Sequence, residues 1–313
     1  MRLVGDTIGL VITRNVAEFV SVASALAPDF GPPTARGAFL VAPDGFVRTA
    51  QSAEDNLYMA GEDAYDAALA SAQHRALHRA LSAVLPTVCF AGDPAAPDAL
   101  FPNNVFATRP GTYVVGRMHH PVRQLEATRS DIRHFFRDLI GYDEVDLSVQ
   151  EHPCELTGSL IVDRSRGIGF VGLSDRCDEA GARLMHDALG LRATLMFDLS
   201  PGEYHTNVVL AIHAGRAAMF SRPAFASDEV AEAIVALYGD YAIELTPEEH
   251  AAFAANSIAL SGDVVWMSAG ADRSLTPETR HALSRAGFRV EAVELGGIEV
   301  AGGSLRCCVG EIF

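Results

Sequence analysis

The chain has 313 residues, of which 49% are hydrophobic, and its formal net charge is −16. This hydrophobic share supports a sizeable core and argues against a disordered chain. The acidic balance argues against nucleic acid or an anionic membrane as a partner, because both need clustered lysine and arginine. It suits a cationic or zwitterionic small molecule.

The cysteine pattern indicates a reducing compartment. The chain has five cysteines, which are Cys89, Cys154, Cys177, Cys307 and Cys308. An odd number without regular spacing is not typical of a disulfide framework, and no C-x-x-C pair or His/Cys cluster indicates structural zinc. The sequence therefore predicts a cytoplasmic protein.

We interpret residues 1–37 as an N-terminal extension of unknown role. Residues 3–27 are largely apolar, but three charged residues interrupt them: Asp6, Arg14 and Glu18. No uninterrupted apolar run reaches the length of a membrane span. We expect a strand at Ile8–Thr13 and a short helix at Val16–Leu26, both added to a single domain that covers residues 38–313.

A short motif recurs five times along the chain, each time with Asn, Gly or Ser just before an apolar residue that is expected to open a strand. The five motifs are Pro102–Phe106, Thr157–Ile161, His205–Val209, Ala255–Ala259 and Gly302–Leu305. From Asn104, the steps to Gly158, Asn207, Asn256 and Gly303 are 54, 49, 49 and 47 residues. A period near this length is typical of a radial or solenoid array of repeats.

Helical patterns lie between these motifs. They cover Glu62–Ala83, Arg129–Leu139, Asp178–Leu189, Ser227–Leu237 and Pro277–Ala286. Two of them precede short strands at Ala193–Phe197 and Arg289–Val293. The prediction is an α/β fold of five strand–strand–helix–strand modules, arranged as a five-fold pseudo-symmetric propeller. The five recurring motifs, which we call corners, point inward in this arrangement. The alternative is an ordinary α/β sandwich with accidental spacing.

Three of the five corners carry a side chain suited to catalysis. Cys307 follows the flexible pair Gly302–Gly303, and a thiolate is a good nucleophile. His205 is a candidate acid and base, and Glu155 a candidate partner for a histidine or a substrate nitrogen. Each has an ordinary structural alternative when it is considered alone. Because adjacent strand residues face opposite sides, Cys307 and Cys308 cannot both face the axis.

The order of these motifs resembles the guanidino-group-modifying (pentein) superfamily, and within it the citrulline-hydrolysing branch related to arginine deiminases. The likeness covers about residues 38–313. It rests on Phe101–Asn104, on Glu155 with Thr157–Leu160, on Tyr204–Asn207, on Phe253–Asn256 and on Ile298–Cys307, with Leu40–Pro43, Phe46 and Asp55–Asn56 as a worn first strand. The resemblance implies a nucleophile at Cys307, a general acid and base at His205 and an acid at Glu155 that holds substrate and histidine. It implies no metal and no organic cofactor.

One departure from the family pattern bears on the substrate. Arginine deiminases carry Asp where this chain has Asn104 and Asn207. Asparagine offers a donor and an acceptor without charge, which suits a neutral ureido group better than a guanidinium. Asn103 is counted with them as substrate-binding. Arg123 and Arg306 are the candidate cations for the substrate carboxylate, with a surface position as the alternative for each.

We therefore expect a hydrolase that cleaves C–N bonds of a ureido or guanidino amino acid through a covalent cysteine intermediate. The first expectation is citrulline conversion to ornithine, ammonia and carbon dioxide. The alternatives are an arginine-type deiminase, dihydrolase or amidinotransferase and, from another class, an inactive ligand-binding relative. The expected partner is a small amino acid, with no nucleic acid and no membrane, and the sequence leaves a homo-oligomer open.

Overall fold

The computed structural model describes residues 10–47, 49–59 and 65–313. Within them, sixteen strands form five separate sheets, four with three strands and one with four. The strands are β1 Val11–Thr13, β2 Gly37–Val41, β3 Thr87–Phe90, β4 Phe106–Arg109, β5 Thr112–Val115, β6 Asp143–Asp146, β7 Leu160–Asp163, β8 Ile168–Leu173, β9 Ala193–Asp198, β10 Leu210–His213, β11 Ala217–Phe220, β12 Ala242–Glu244, β13 Ile258–Ala259, β14 Val264–Ser268, β15 Arg289–Val293 and β16 Gly310–Ile312.

Helices connect and cover these sheets. They are α1 Val16–Ala25, α2 Ala50–Glu54, α3 Ala67–Ser82, α4 Pro121–Gln124, α5 Ser130–His134, α6 Leu156–Ser159, α7 Glu179–Leu189, α8 Thr206–Val209, α9 Asp228–Tyr238, α10 Pro247–Ala251, α11 Ala269–Ser274, α12 Pro277–Arg285, α13 Gly296–Glu299 and α14 Leu305–Cys308. A π-helical turn at Phe135–Leu139 continues α5. Among the residues described, no helix is long and apolar enough to cross a membrane.

All five sheets share one pairing pattern. The first two strands are antiparallel, and the third is parallel to the second and follows a helix, as in β10–β11–β12 with α9. The α/β class is confirmed, and the chain order in four sheets is the predicted strand, strand, helix, strand. The remaining sheet takes its first strand from the other end of the chain, because β16 pairs antiparallel with β2. First strands of different sheets also contact one another: β7 contacts β10, and β16 contacts β4.

The predicted helices agree with the structure to within a few residues. Three of the observed helices are capped at the N-terminus: Asp178, Ser227 and Thr276 each accept a hydrogen bond from a backbone N–H of the first turn. The predicted strands correspond to β9 and β15. Residues 62–64 of the first predicted helix, and residues 8–9 of the first predicted strand, lie outside the described residues.

The N-terminal segment packs onto the sheet formed by β7, β8 and β9. Strand β1 pairs in parallel with β9, and α1 packs against α9. Phe19 on α1 is fully buried and meets Phe170 of β8 edge to face, with ring centroids 5.2 Å apart. The expected strand and helix are therefore both present from Val11 onward, as additions to a sheet built by later residues.

The structure corrects the prediction for the corners. The sequence motif predicted a strand opening at its apolar residue, and β7 and β13 do open there, at Leu160 and Ile258. In four corners, however, a helical turn precedes the strand: Pro102–Asn104, α6, α8 and α14. Cys307 consequently lies in α14 and not on a strand. Successive side chains of a helical turn point about 100° apart, so the strand rule that adjacent residues face opposite sides does not apply to Cys307 and Cys308.

Candidate active site

Cys307 is held by two asparagines from other corners. Its side chain is buried, and its Sγ atom lies 3.2 Å from Asn256 Nδ2 and 3.6 Å from Asn207 Nδ2. The backbone N–H of Cys307 donates to Asn256 Oδ1 at 3.3 Å. Asn256 therefore fixes both the main chain and the sulfur of this residue, and the thiol has one defined position.

Burial raises the pKa of the Cys307 thiol. Hydrogen bonds from Asn256 and from the backbone, the charge of Arg306 and the amide of Asn207 act in the opposite direction but do not outweigh burial. A thiol with a raised pKa is protonated at neutral pH. Because the thiolate is the nucleophilic form, a bound cation would be needed to favour ionisation.

His205 and Glu155 form a fully buried pair. The His205 Nε2 atom lies 2.8 Å from Glu155 Oε2, and neither side chain is exposed. His205 Nδ1 has no hydrogen-bond partner among the described residues. Burial lowers the pKa of His205 despite the hydrogen bond and charge of Glu155. A neutral ring that donates through Nε2 leaves Nδ1 as a free proton acceptor, which is what a general base requires.

Glu155 is ionised although it is completely buried. Burial alone would raise its pKa, but the charge of Arg176, the hydrogen bond to His205 and the charge of Arg123 hold the pKa well below its usual range. Arg176 Nη1 lies 3.4 Å and Arg123 Nη1 3.8 Å from Glu155 Oε2. The backbone N–H of His119 donates to the other carboxylate oxygen at 3.0 Å.

The two arginines beside Glu155 each hold a second acid. Arg123 donates to both carboxylate oxygens of Glu126, at 2.7 and 3.0 Å. Arg176 donates to both oxygens of Asp55, each at 2.6 Å. Burial opposes the ionisation of Asp55, but the hydrogen bonds and charge of Arg176 lower its pKa to about 2. Such forked pairs fix the orientation of the guanidinium planes.

A small cavity, open to solvent, joins Cys307 to these arginines. Its walls are Ser52, Asn56, Met59, Asp98, Phe101, Asn104, Arg123, Arg176, Tyr204, Ala301, Gly302, Gly303 and Cys307. Asp98 is only 2% exposed, and its Oδ1 atom has no hydrogen-bond partner among the described residues. Its Oδ2 atom accepts from the Ser52 hydroxyl. An unpaired buried carboxylate oxygen in a cavity favours a cationic ligand.

Close packing brings the Glu155 corner against the others. A Cβ atom at Gly158 would lie 2.6 Å from Asn104 Oδ1 and 2.8 Å from His205 Cε1. Only glycine fits there without displacing one of these side chains. The backbone at Gly302 is also fixed, because its carbonyl accepts from Tyr204 Oη at 2.6 Å and its φ is +85°.

The predicted site residues fall into three groups. The first group lines the cavity and consists of Cys307, Asn104 and Arg123. The second group is buried and contacts the lining residues through hydrogen bonds, ion pairs or close packing; it consists of His205, Glu155 and Asn207. Asn103 is buried, and its side chain has no described hydrogen-bond partner and does not line the cavity.

Arg306 is not brought to the cavity. Its guanidinium donates to the Val309 carbonyl at 2.8 Å and to Glu311 Oε2 at 2.9 Å, and it lines a different cavity. Residue 306 precedes the nucleophile in the same helical turn, so its side chain leaves the turn in another direction.

Sequence reasoning missed three residues of this site. Asn256 had a usable signal, because it lies 49 residues after Asn207 at the same position of the repeat. Asp98 and Arg176 had none, since neither lies in a repeated motif. They reach the cavity from loops that precede the first corner and follow β8.

Comparison with known proteins identifies the family. Residues 42–313 match the family model described as N,N dimethylarginine dimethylhydrolase, eukaryotic. A comparison with curated proteins finds no significant match. Because the family model covers most of the chain, membership follows from the sequence as well as from the fold.

Solved structures with the same fold are distant in sequence. The N-terminal domain of ArgZ, an arginine dihydrolase from cyanobacteria crystallised as a mutant with its substrate, is 18% identical, with a TM-score of 0.76 over 88% of this chain and 97% of that domain. A complex of AgrE with ornithine and NAD+ is 19% identical with a TM-score of 0.76, and the match covers 88% of this chain but 39% of AgrE.

A third solved structure is described as a dimethylarginine dimethylaminohydrolase. A dimethylarginine dimethylaminohydrolase variant, carrying an adduct with S-methyl-L-thiocitrulline, is 20% identical with a TM-score of 0.65, over 88% of this chain and 99% of that one. The chain belongs to the N,N dimethylarginine dimethylhydrolase family, within the pentein superfamily of cysteine-dependent hydrolases that act on guanidino groups.

Proposed function

We propose that this protein hydrolyses the guanidino group of arginine twice, giving ornithine, two molecules of ammonia and carbon dioxide. Citrulline is the intermediate, so the citrulline hydrolysis expected from the sequence is the second half of this reaction. The observation that carries the proposal is the mixed character of the cavity. Neutral amides surround the Cys307 thiol, while Asp98 supplies one unpaired carboxylate oxygen.

This mixture suits both chemical states of the substrate. A guanidinium is a cation with only hydrogen-bond donors, so it needs an acid such as Asp98. A ureido group is neutral and has a carbonyl acceptor as well as donors, so it needs amides such as Asn104. The argument that Asn104 and Asn207 suit a neutral group therefore applies to citrulline but not to arginine. Arg123 and Arg176 are the proposed partners for the carboxylate.

The first round begins when the substrate cation binds beside the buried thiol and favours its ionisation. The thiol proton of Cys307 passes to His205, the sulfur attacks the guanidinium carbon, and protonated His205 returns the proton to the ammonia that leaves. His205 then deprotonates a water molecule, which adds to the sulfur-bound carbon. The carbon–sulfur bond breaks and citrulline remains. Glu155 holds the His205 ring through Nε2 and stabilises its protonated form.

In the second round the same sulfur attacks the ureido carbon. Ornithine leaves with a proton from His205, and a carbamoyl group remains on the sulfur. Water releases it as carbamate, which decomposes to ammonia and carbon dioxide. The two rounds consume two water molecules, and every nitrogen of arginine is accounted for in ornithine and ammonia.

We further propose that the five sheets surround one axis as a propeller, with residues 38–313 as one catalytic domain and residues 1–37 as an extension. The contacts of β7 with β10, of β10 with β13 and of β16 with β4 support a ring of first strands. In such a ring the corners meet at its centre, where Cys307, Asn207 and Asn256 are in contact. A cytoplasmic location, the absence of a cofactor and the oligomeric state stay predictions.

The test is product analysis with arginine, citrulline and N,N-dimethylarginine as separate substrates. We expect two ammonia molecules per ornithine from arginine, turnover of citrulline, and loss of both activities in Cys307→Ser. Cys89→Ser is the matched control, because Cys89 is half-buried on β3 and does not line the cavity. Release of dimethylamine from dimethylarginine without ornithine from arginine would contradict the proposal. Arginine turnover that stops at citrulline would contradict the second round.

A further inference from the structure

A second cavity lies behind the catalytic corners. It encloses about 500 Å³ including its open mouth, and it shares no lining residue with the Cys307 cavity. Strands β7, β10 and β13 form much of its wall. Four of its lining residues are within two positions of active-site residues along the chain: Thr157, Ser257, Ile258 and Arg306. The proposed reaction uses none of its side chains.

Arg164 is the unusual residue of this cavity. It is only 8% exposed, and no described residue accepts a hydrogen bond from its guanidinium or forms an ion pair with it. Its guanidinium carbon lies 4.2 Å from the centroid of the Phe313 ring. Burial lowers the pKa of Arg164 to about 10, so the group still carries its charge at neutral pH. A buried charge without a partner is destabilising.

The charged side chains that line this cavity and its neighbour are mostly arginines. Arg306 lines the same cavity and is paired with Glu311, so two guanidinium groups face one carboxylate there. A neighbouring cavity of about 590 Å³ is lined by Arg164 together with Arg109. The guanidinium of Arg109 donates to the Ala188 carbonyl at 3.1 Å, which removes none of its charge. The two cavities are thus lined by three arginine side chains and one carboxylate side chain, although the chain as a whole has a net charge of −16.

We propose that the Arg164 cavity binds a small oxyanion, of the size of phosphate or of a carboxylate group, as a site separate from the active site. Guanidinium groups bind such oxyanions through two parallel hydrogen bonds. The unpaired guanidinium of Arg164 supplies these hydrogen bonds. The anion neutralises the charge of Arg164, which the Arg306–Glu311 pair does not compensate. This inference does not depend on the substrate assigned above.

The experiment is calorimetric titration of the full chain with inorganic phosphate and, separately, with succinate, at constant ionic strength. We expect the wild type to bind at least one of them, and Arg164→Met to weaken that binding at least tenfold. The tighter of the two ligands identifies the anion class. Arg273→Met is the surface control, because Arg273 is largely exposed, and it should bind as the wild type does.

A second control separates this site from the active site, which also contains arginines. Arg123→Met should retain the phosphate or succinate binding that Arg164→Met loses. Loss in Arg123→Met together with retention in Arg164→Met would assign the ion to the Cys307 cavity and overturn the proposal, as would absence of binding to the wild type. If Arg164→Met does not fold, Arg164→Lys is used instead, because it keeps the charge but lacks the two parallel N–H donors of the guanidinium. Unchanged affinity for the anion in Arg164→Lys would also overturn the proposal.

Discussion

Cys307 and His205 are both neutral in the unliganded protein, and burial is the cause for each. It raises the pKa of the thiol and lowers the pKa of the imidazole. An attacking thiolate therefore has to be generated after the substrate binds, and a cationic substrate does this better than a neutral one. Under the proposed function, the charge of the substrate therefore acts at the sulfur as well as at the acid Asp98.

Asp98→Asn should reduce activity toward arginine more than activity toward citrulline. A charge-assisted hydrogen bond contributes about 1.5–3 kcal/mol, which corresponds to roughly 10- to 100-fold in kcat/KM. Asparagine keeps the shape and the interaction with Ser52 but removes the charge that a guanidinium requires. Steady-state kinetics with both substrates gives the ratio directly.

The matched control for this variant is Asp93→Asn. Asp93 precedes Asp98 by five residues and accepts a hydrogen bond from the Ala95 backbone, but it does not line the cavity. We expect its kinetics to be unchanged. Equal losses toward arginine and citrulline in Asp98→Asn would show that the carboxylate does not recognise the guanidinium.

The corners are the elements that assemble the site. Each is a short turn that leads into the first strand of a sheet, so a side chain from one corner can meet side chains from others. The Cys307 sulfur contacts amides from two other corners, and Gly158 of α6 leaves no room for a methyl group beside Asn104 and His205. Small residues at the corners are needed for this contact.

Gly158→Ala tests the importance of this contact. A Cβ atom at that position would come within 3.0 Å of both Asn104 and His205, so one of them must move. Displacement of a catalytic group by about 1 Å can reduce the rate about 100-fold. We expect at least a tenfold fall in kcat with a much smaller effect on the melting temperature.

Gly262→Ala is the control for this substitution, because no heavy atom lies within 4 Å of a Cβ built there. It should leave kcat unchanged. A Gly158→Ala variant with wild-type kcat would mean that Asn104 and His205 tolerate displacement, and the corner would then have only a structural role.

At the scale of the whole molecule, the repeat was readable from the sequence. The spacing of Asn207 and Asn256 predicted the modules, because each module buries the same pattern of strands and helix. The helical turns at the corners were not predicted, since one turn is too short to show a hydrophobic period. Asp98 and Arg176 depend on loops whose path is set by tertiary packing, and the outward path of Arg306 depends on its helical turn.

Buried neutral histidines make the stability of the molecule depend on pH. His213 at the end of β10 is completely buried, and burial lowers its pKa from 6.5 to about 3. The unfolded chain binds a proton at this residue below pH 6.5, whereas the folded chain does not until about pH 3. Folding stability therefore falls as the pH decreases through this range, by about 1.4 kcal/mol per unit for one such group.

His213→Leu should remove this contribution. Between pH 7.5 and pH 5 the free energy of unfolding of the wild type should fall by about 2 kcal/mol more than that of the variant, because leucine has no proton to bind. Urea unfolding at both pH values measures the difference, and each protein serves as its own reference for any change in packing. His281→Leu is the control, since His281 is exposed on α12, and its pH dependence should follow the wild type. Parallel curves for the wild type and His213→Leu would show that His213 does not remain neutral in the folded protein.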